Sequence, residues 1–277
     1  WPGACQAKGM QPATRLPAVA GLFYPREPAV LADTVTHLLA SAAPVPPFPK
    51  ALIVPHAGYI YSGPIAASAY AQLQGASHIR RVVLIGPAHR VPLYGLASPG
   101  ASLLRTPLGD SVVDLEALAS LPDIEVSPRA HAHEHSLEVQ LPFLQKVVPH
   151  AQIVPLLAGW TAPAVVGQAL AALWGGPETV IVISSDLSHY LPYLQGQQED
   201  RHTTELVLHP PPKDEVLSPE QACGCVGING LLWVARRRHL RCQLLDLRSS
   251  GDTAGDKAHV VGYAAFSFYE DSHAESC

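Results

Sequence analysis

Three short apolar runs each lead into a turn that carries histidine. They are Leu52-Ile53-Val54-Pro55-His56-Ala57-Gly58-Tyr59, Val82-Val83-Leu84-Ile85-Gly86-Pro87-Ala88-His89 and Val180-Ile181-Val182-Ile183-Ser184-Ser185-Asp186-Leu187-Ser188-His189. Runs of this length, rich in β-branched residues and closed by Gly, Pro or Ser, read as strands buried in an α/β protein. Such folds bind ligands at the carboxyl ends of their strands, so three ends bearing metal-capable side chains point to one shared site. A lone histidine after a strand is more often a hydrogen-bonded structural residue. Repetition of the same placement argues against that reading here.

The rest of the chain supports a central mixed β-sheet flanked by helices. Ala51 to Val54 and Val82 to Ile85 read as strands, joined by a helix from Pro64 to Leu73 with proline in its first turn. A second strand–helix–strand unit runs through Gln152 to Leu157, Ala164 to Trp174 and Thr179 to Ile183, with Gly175-Gly176-Pro177 stopping the helix. Cys242 to Leu247 and Val260 to Tyr269, separated by a Gly/Asp-rich turn, predict an antiparallel pair. In Glu134 to Leu144, Leu137, Leu141 and Leu144 recur at helical spacing. His135 and Glu138 then share a neighbouring stripe, as a ligand pair or a structural ion pair, and Pro142 kinks the helix.

At 277 residues with 48% hydrophobic content, the chain can bury one large core, and a single domain is expected over residues 16–271. Residues 1–15 read as a disordered extension, with Met10 as the natural start, and 272–277 as a tail; Ser41 to Pro49 is a connection. The net charge of −5 argues against a nucleic-acid partner, and Arg236-Arg237-Arg238 reads as the solvated end of a helix. No bilayer-length apolar stretch and no signal sequence is visible, so no membrane association and a cytoplasmic location are expected. Five cysteines without framework spacing exclude a disulfide scaffold.

His56 and His89 each follow a proline in a turn with little bulk beside the imidazole, as a preorganised ligand requires. Two imidazoles are too few for a tight site. A third ligand would come from Asp186, His189, Glu134, His135, Glu138, Cys223 or Cys225, and cysteine would favour a soft or borderline metal. Cys223 precedes a helix expected from about Ile228 to Arg237, and a thiol near a helix N-terminus ionises more readily. The competing reading is a buried cysteine that only packs.

Taken in order, Pro55-His56-Ala57-Gly58-Tyr59 with Tyr61-Ser62-Gly63, Gly86-Pro87-Ala88-His89, Glu134-His135-Ser136-Leu137-Glu138, Ser184-Ser185-Asp186-Leu187-Ser188-His189, Ala222-Cys223-Gly224, and Gly251-Asp252-Thr253-Ala254-Gly255-Asp256 with Val260-Val261-Gly262-Tyr263-Ala264 form a specific pattern. It resembles the Memo family, called AmmeMemoRadiSam system protein B in prokaryotes, across roughly Ala18 to Tyr269. The resemblance implies a single α/β domain similar to class III non-haem iron extradiol dioxygenases. It implies a mononuclear iron(II) or copper site held by His56, His89 and Cys223. Asp186 then orients a ligand or His189, and His189 transfers protons or touches substrate. His135, Glu138, Tyr59 and Cys225 are expected to line the cleft.

Two positions depart from the pattern. Arg90 stands where the animal family member has a second histidine, and Cys225 adds a thiol that would serve as an alternative ligand or redox partner. Two functions follow from the resemblance. One is a metal-dependent, dioxygenase-like oxidoreductase acting on a small molecule. The other is a non-catalytic module that sequesters metal or binds a peptide or protein, in a modification system with a radical SAM protein and an AMMECR-type protein.

Overall fold

The computed structural model describes residues 13–270. In chain order its elements begin with β1 (Thr14–Arg15), α1 (Pro28–Ala40), β2 (Ala51–Val54), α2 (Tyr59–Tyr70), β3 (Arg81–Pro87), β4 (Leu96–Ser98), β5 (Leu103–Thr106), β6 (Gly109–Val112) and α3 (Leu115–Ala119). They continue with β7 (Glu125–Val126), α4 (Pro128–Ala132), α5 (Leu141–Val147), β8 (Gln152–Ala158), α6 (Pro163–Ala172), β9 (Thr179–Ser184) and β10 (His189–Leu191). The last elements are α7 (Tyr193–Leu208), α8 (Cys225–Arg237), β11 (Arg241–Ser249), α9 (Ser250–Thr253) and β12 (Val260–Tyr269).

Alternation along the strands splits the core in two. Leu52, Val54, Val82, Leu84, Val180 and Val182 join one apolar cluster with α1, α2 and α5. Their neighbours Ile53, Val83, Ile85, Ile181 and Ile183 join another with α6 and α8. Each fully buried Val, Leu or Ile contributes roughly 1.5–3 kcal/mol of transfer free energy, so a sheet buried on both faces requires helices on both. The sheet is mixed. Parallel strands β2, β9, β3 and β8 form its centre, β12 and β4 run antiparallel on either side, and β10, β11 and β7 complete it. β1, β5 and β6 make a small separate sheet.

Register brings the functional turns level. Val54 pairs with Ser184, and Ile85 with Ile183, so the turns after β2, β3 and β9 leave the same edge of the sheet. The two strands β2 and β3 are not neighbours, because β9 inserts between them. The antiparallel pairing of β11 with β12 matches the sequence expectation.

Several local expectations are corrected. Helix α2 begins at Tyr59 and carries Pro64 inside it. Proline there removes the hydrogen bond to the carbonyl of Ile60, which is 69% exposed, so water can satisfy that group. Glu134 to Leu144 is not one helix: a 3-10 turn over Glu138–Gln140 precedes α5, and Pro142 lies in the first turn of α5, where its missing N–H costs nothing. Helix α8 starts three residues early, at Cys225. Residues 13–15 belong to the fold, since Thr14 and Arg15 pair with Leu103 and Leu104. Residues 1–12, Met10 among them, and 271–277 lie outside the described residues.

Candidate metal centre

His56 follows Pro55 directly after β2, and its orientation is set by groups from three other segments. Its backbone N–H donates to Asp186 Oδ1 at 2.8 Å, while Gln140 Nε2 donates to Pro55 O at 3.0 Å. The ring Nδ1 lies 2.8 Å from Ser184 Oγ. That hydroxyl has one hydrogen, which it gives to Ser136 O at 2.6 Å, and it already accepts from Gln140 Nε2 at 2.9 Å. His56 Nδ1 must therefore be the donor in the remaining contact. The proton count leaves the lone pair on Nε2, and burial holds the imidazole neutral by pushing its pKa well below 6.5.

The turn after β3 repeats this logic with a carboxylate. Glu134 Oε1 accepts from His89 Nδ1 at 2.9 Å and from the backbone N–H groups of His135 and Ser136 at 2.9 and 3.0 Å; Oε2 accepts from the His89 backbone N–H at 2.5 Å. Burial alone would raise the Glu134 pKa. The hydrogen bonds from His89 and the backbone amides outweigh it and hold the carboxyl at about 2. Glu134 is thus ionised and accepts from Nδ1 of His89, so Nε2 is the nitrogen this ring turns to other groups.

Cys223 comes from the turn before α8. Its Sγ lies 3.3 Å from His56 Nε2, and ligand atoms of His56, His89 and Cys223 all fall within 4.8 Å of one another. Only glycine fits at position 224, because a Cβ there would sit 2.6 Å from both Ser184 O and Ser185 Cβ. The Gly224 N–H donates to Ser185 Oγ at 2.9 Å and fixes the turn. The expectation of an easily ionised thiol fails in the metal-free chain: burial and the neighbouring Asp186 carboxylate push Cys223 up to about 12, and the helix N-terminus does not compensate. Two imidazole lone pairs and a desolvated thiol that a cation would deprotonate suit a soft or borderline transition metal.

A cleft of about 670 Å³ opens over these histidines. Its lining includes His56, His89, His135, His189 and Asp186, together with Phe23, Tyr61, Tyr190, Tyr263 and Arg90. His135 stacks on His89 with ring centroids 4.8 Å apart, and among the described residues its Nδ1 has no hydrogen-bond partner, the Glu134 carboxylate being 3.4 Å away in poor geometry. Burial lowers the pKa of His135 to about 4 and that of His189 below its ordinary value, so both are neutral bases at neutral pH. Burial raises Asp186 to about 7 against hydrogen bonds from the backbone N–H groups of His56 and Ala57.

Three residues expected in the cleft are elsewhere. Glu138 and His135 would share a face only on a helix; the chain turns at Ser136 and Leu137, and Glu138 points into a buried network. There it pairs with Arg15 and accepts from Tyr24 Oη at 2.6 Å and from the backbone N–H groups of Ala18 and Val19. Tyr59 is buried, donating to Val139 O at 2.5 Å. Cys225 is buried at the start of α8 and, with Cys223, lines a separate pocket of about 170 Å³. Ser184 and Glu134 sat inside quoted motifs without a recognised orienting role. Arg15, which holds the loop carrying Glu134 through the carbonyls of His131 and Glu134, gave no signal in the sequence.

A family-wide sequence profile described as Memo-like protein matches residues 15–267. The chain belongs to the Memo family. It is similar to archaeal proteins named MEMO1 family protein: 37% identical to that of Ignicoccus hospitalis, over 92% of this chain and 98% of the relative. The corresponding protein of Archaeoglobus fulgidus is 35% identical over 92% and 99%, and that of Caldivirga maquilingensis 33% over 93% and 99%. The Memo profile spans every residue of the His/His/Cys group, from the turn after β2 to the turn before α8. None of the helices of this Memo-family chain, among the described residues, is long and apolar enough to cross a membrane.

Proposed function

We propose that His56, His89 and Cys223 hold one transition-metal ion, iron(II) or copper, and that the bound ion is redox-active toward a small molecule in the cleft. The observation that carries this reading is the pair of Nδ1 protons committed to Ser184 and Glu134. With Nδ1 of each ring so committed, Nε2 is the nitrogen that each offers to an ion beside the Cys223 sulfur. When bound, such an ion would supply one-electron or oxygen chemistry. The surrounding residues supply the rest: His189, neutral and in the cleft wall, can take a proton from a ligand, and Asp186 fixes the His56 backbone while titrating near neutrality.

A second reading, storage of the ion or binding of a peptide or protein without turnover, is favoured by one observation. Cys223 lines the smaller pocket and not the main cleft, which shields the sulfur from a cleft-bound molecule. A radical SAM protein and an AMMECR-type protein would be the partners in that reading, and a low-salt pull-down tests them.

The deciding experiment is elemental analysis of protein purified without a histidine tag under nitrogen, alongside Cys223→Ser and His56→Ala. Near-stoichiometric iron or copper in the parent and its loss in both variants is expected. An unaltered metal content in either variant, or none in the parent after iron(II) or copper(I) loading, would overturn the ligand set. Oxygen consumption by the loaded protein then separates turnover from storage.

A further inference from the structure

Of the residues lining the main cleft, one is a permanent cation. Arg90 follows the ligand His89 directly, is exposed, and its guanidinium has no ion-pair or hydrogen-bond partner among the described residues. Five other arginines are spent on carboxylates: Arg15 on Glu138, Arg81 on Asp114, Arg105 on Asp110, Arg236 on Asp214 and Arg248 on Asp246. A free guanidinium on the lining of this cleft, on a chain of net charge −5, is a local attractor for an anion.

Charge counting narrows the anion. The cleft also contains Asp186 and Asp256, and Asp256 Oδ1 is occupied by the backbone N–H groups of Ala258 and His259 at 2.8 and 3.4 Å. One guanidinium matches one negative charge; a dianionic phosphate would leave excess charge facing two carboxyl groups. A planar fork of donors suits a carboxylate, which it can bind through two parallel hydrogen bonds.

The walls indicate the body that carries this group. Phe23, Tyr61, Tyr190 and Tyr263 are among the residues that line the cleft. Tyr190 adopts φ 61°, a left-handed conformation unusual for an aromatic residue, at an irregularity in the pairing of β10 with β12, and is 71% exposed. Strain of this kind is kept where the surrounding structure imposes it, commonly at ligand sites. The volume of about 670 Å³ accommodates a small organic molecule.

We infer that the cleft takes a small monocarboxylate with a flat, apolar body, its carboxylate held by Arg90 and its body packed among the tyrosine rings. The inference rests on the reading of this cleft as the functional site.

Benzoate and its neutral counterpart benzamide are the probes, titrated by calorimetry into the metal-loaded and chelator-stripped parent, Arg90→Gln and Arg90→Lys. The expected result is a preference of about tenfold or more for benzoate in the parent, with or without metal. Arg90→Gln should lose the preference while keeping its benzamide affinity and metal content, and Arg90→Lys should retain part of it. Equal binding of the two probes, a preference that survives in Arg90→Gln, one that exists only in the metal-loaded form, or no binding of either probe up to its solubility would each overturn the proposal. Metal content, measured on the same samples, reports separately on the ligand set.

Discussion

Replacing Glu134 with glutamine tests the orienting network at its most loaded point. The carboxylate receives four N–H donors from His89, His135 and Ser136, and glutamine offers only one oxygen; its NH2 must then face an N–H group. The fall of the carboxyl from 4.5 to about 2 corresponds, at about 1.4 kcal/mol per pH unit, to about 3 kcal/mol of native-state stability. Because the folded value is depressed, that contribution is present in full above pH 4.5 and disappears as pH falls toward 2. Urea unfolding of metal-free protein should show Glu134→Gln destabilised by about 3 kcal/mol at neutral pH, with the gap to the parent narrowing as pH falls below 4.5. Metal affinity should drop about 10- to 100-fold, since His89 loses the partner that fixes its tautomer. A cost under about 1 kcal/mol at neutral pH, or a gap that stays constant into acid, would refute the reasoning.

Ser184→Ala should weaken metal binding about 10- to 100-fold and cost about 2–4 kcal/mol in urea unfolding, because it strands His56 Nδ1, Gln140 Nε2 and Ser136 O in a fully buried place; parent-like metal affinity would disprove the tautomer assignment. Arg15→Ala should cost about 3–5 kcal/mol by leaving the Glu138 carboxylate buried without its cation, read from the urea midpoint at neutral pH. It should also increase hydrogen exchange at the amides of His135 and Ser136, whose loop Arg15 ties down through the carbonyls of His131 and Glu134.

The sequence carried the parallel core and the location of the site, for a physical reason. A strand buried on both faces has to be a continuous apolar run, and a turn that leaves such a strand has few residues with which to do chemistry. His56, His89 and Asp186 were therefore visible as types at positions. Contacts made across the fold were not visible. Helical phase pairs Glu138 with His135, and one turn at Ser136 and Leu137 sends the two side chains to different environments. Glu134 was named as a ligand candidate, yet its work is to accept from the ligand's far nitrogen, which depends on tertiary packing between the turn after β3 and the segment before α5. Arg15 lay in what read as an extension, because a two-residue strand leaves no periodic signal.

The insertion of β9 between β2 and β3 bears on how the protein is made. A ribosome that has released residues up to 178 has produced both histidine-bearing turns, but the strand that holds them level does not yet exist, and neither does Ser184 to set the His56 proton. Cys223 is made later still, and β12, which pairs with β2, is the last strand of the described chain. Pairings this distant in sequence form late and slowly. The nascent polypeptide thus does not yet bring His56, His89 and Cys223 together, and uptake of the proposed ion would be an event of the finished chain.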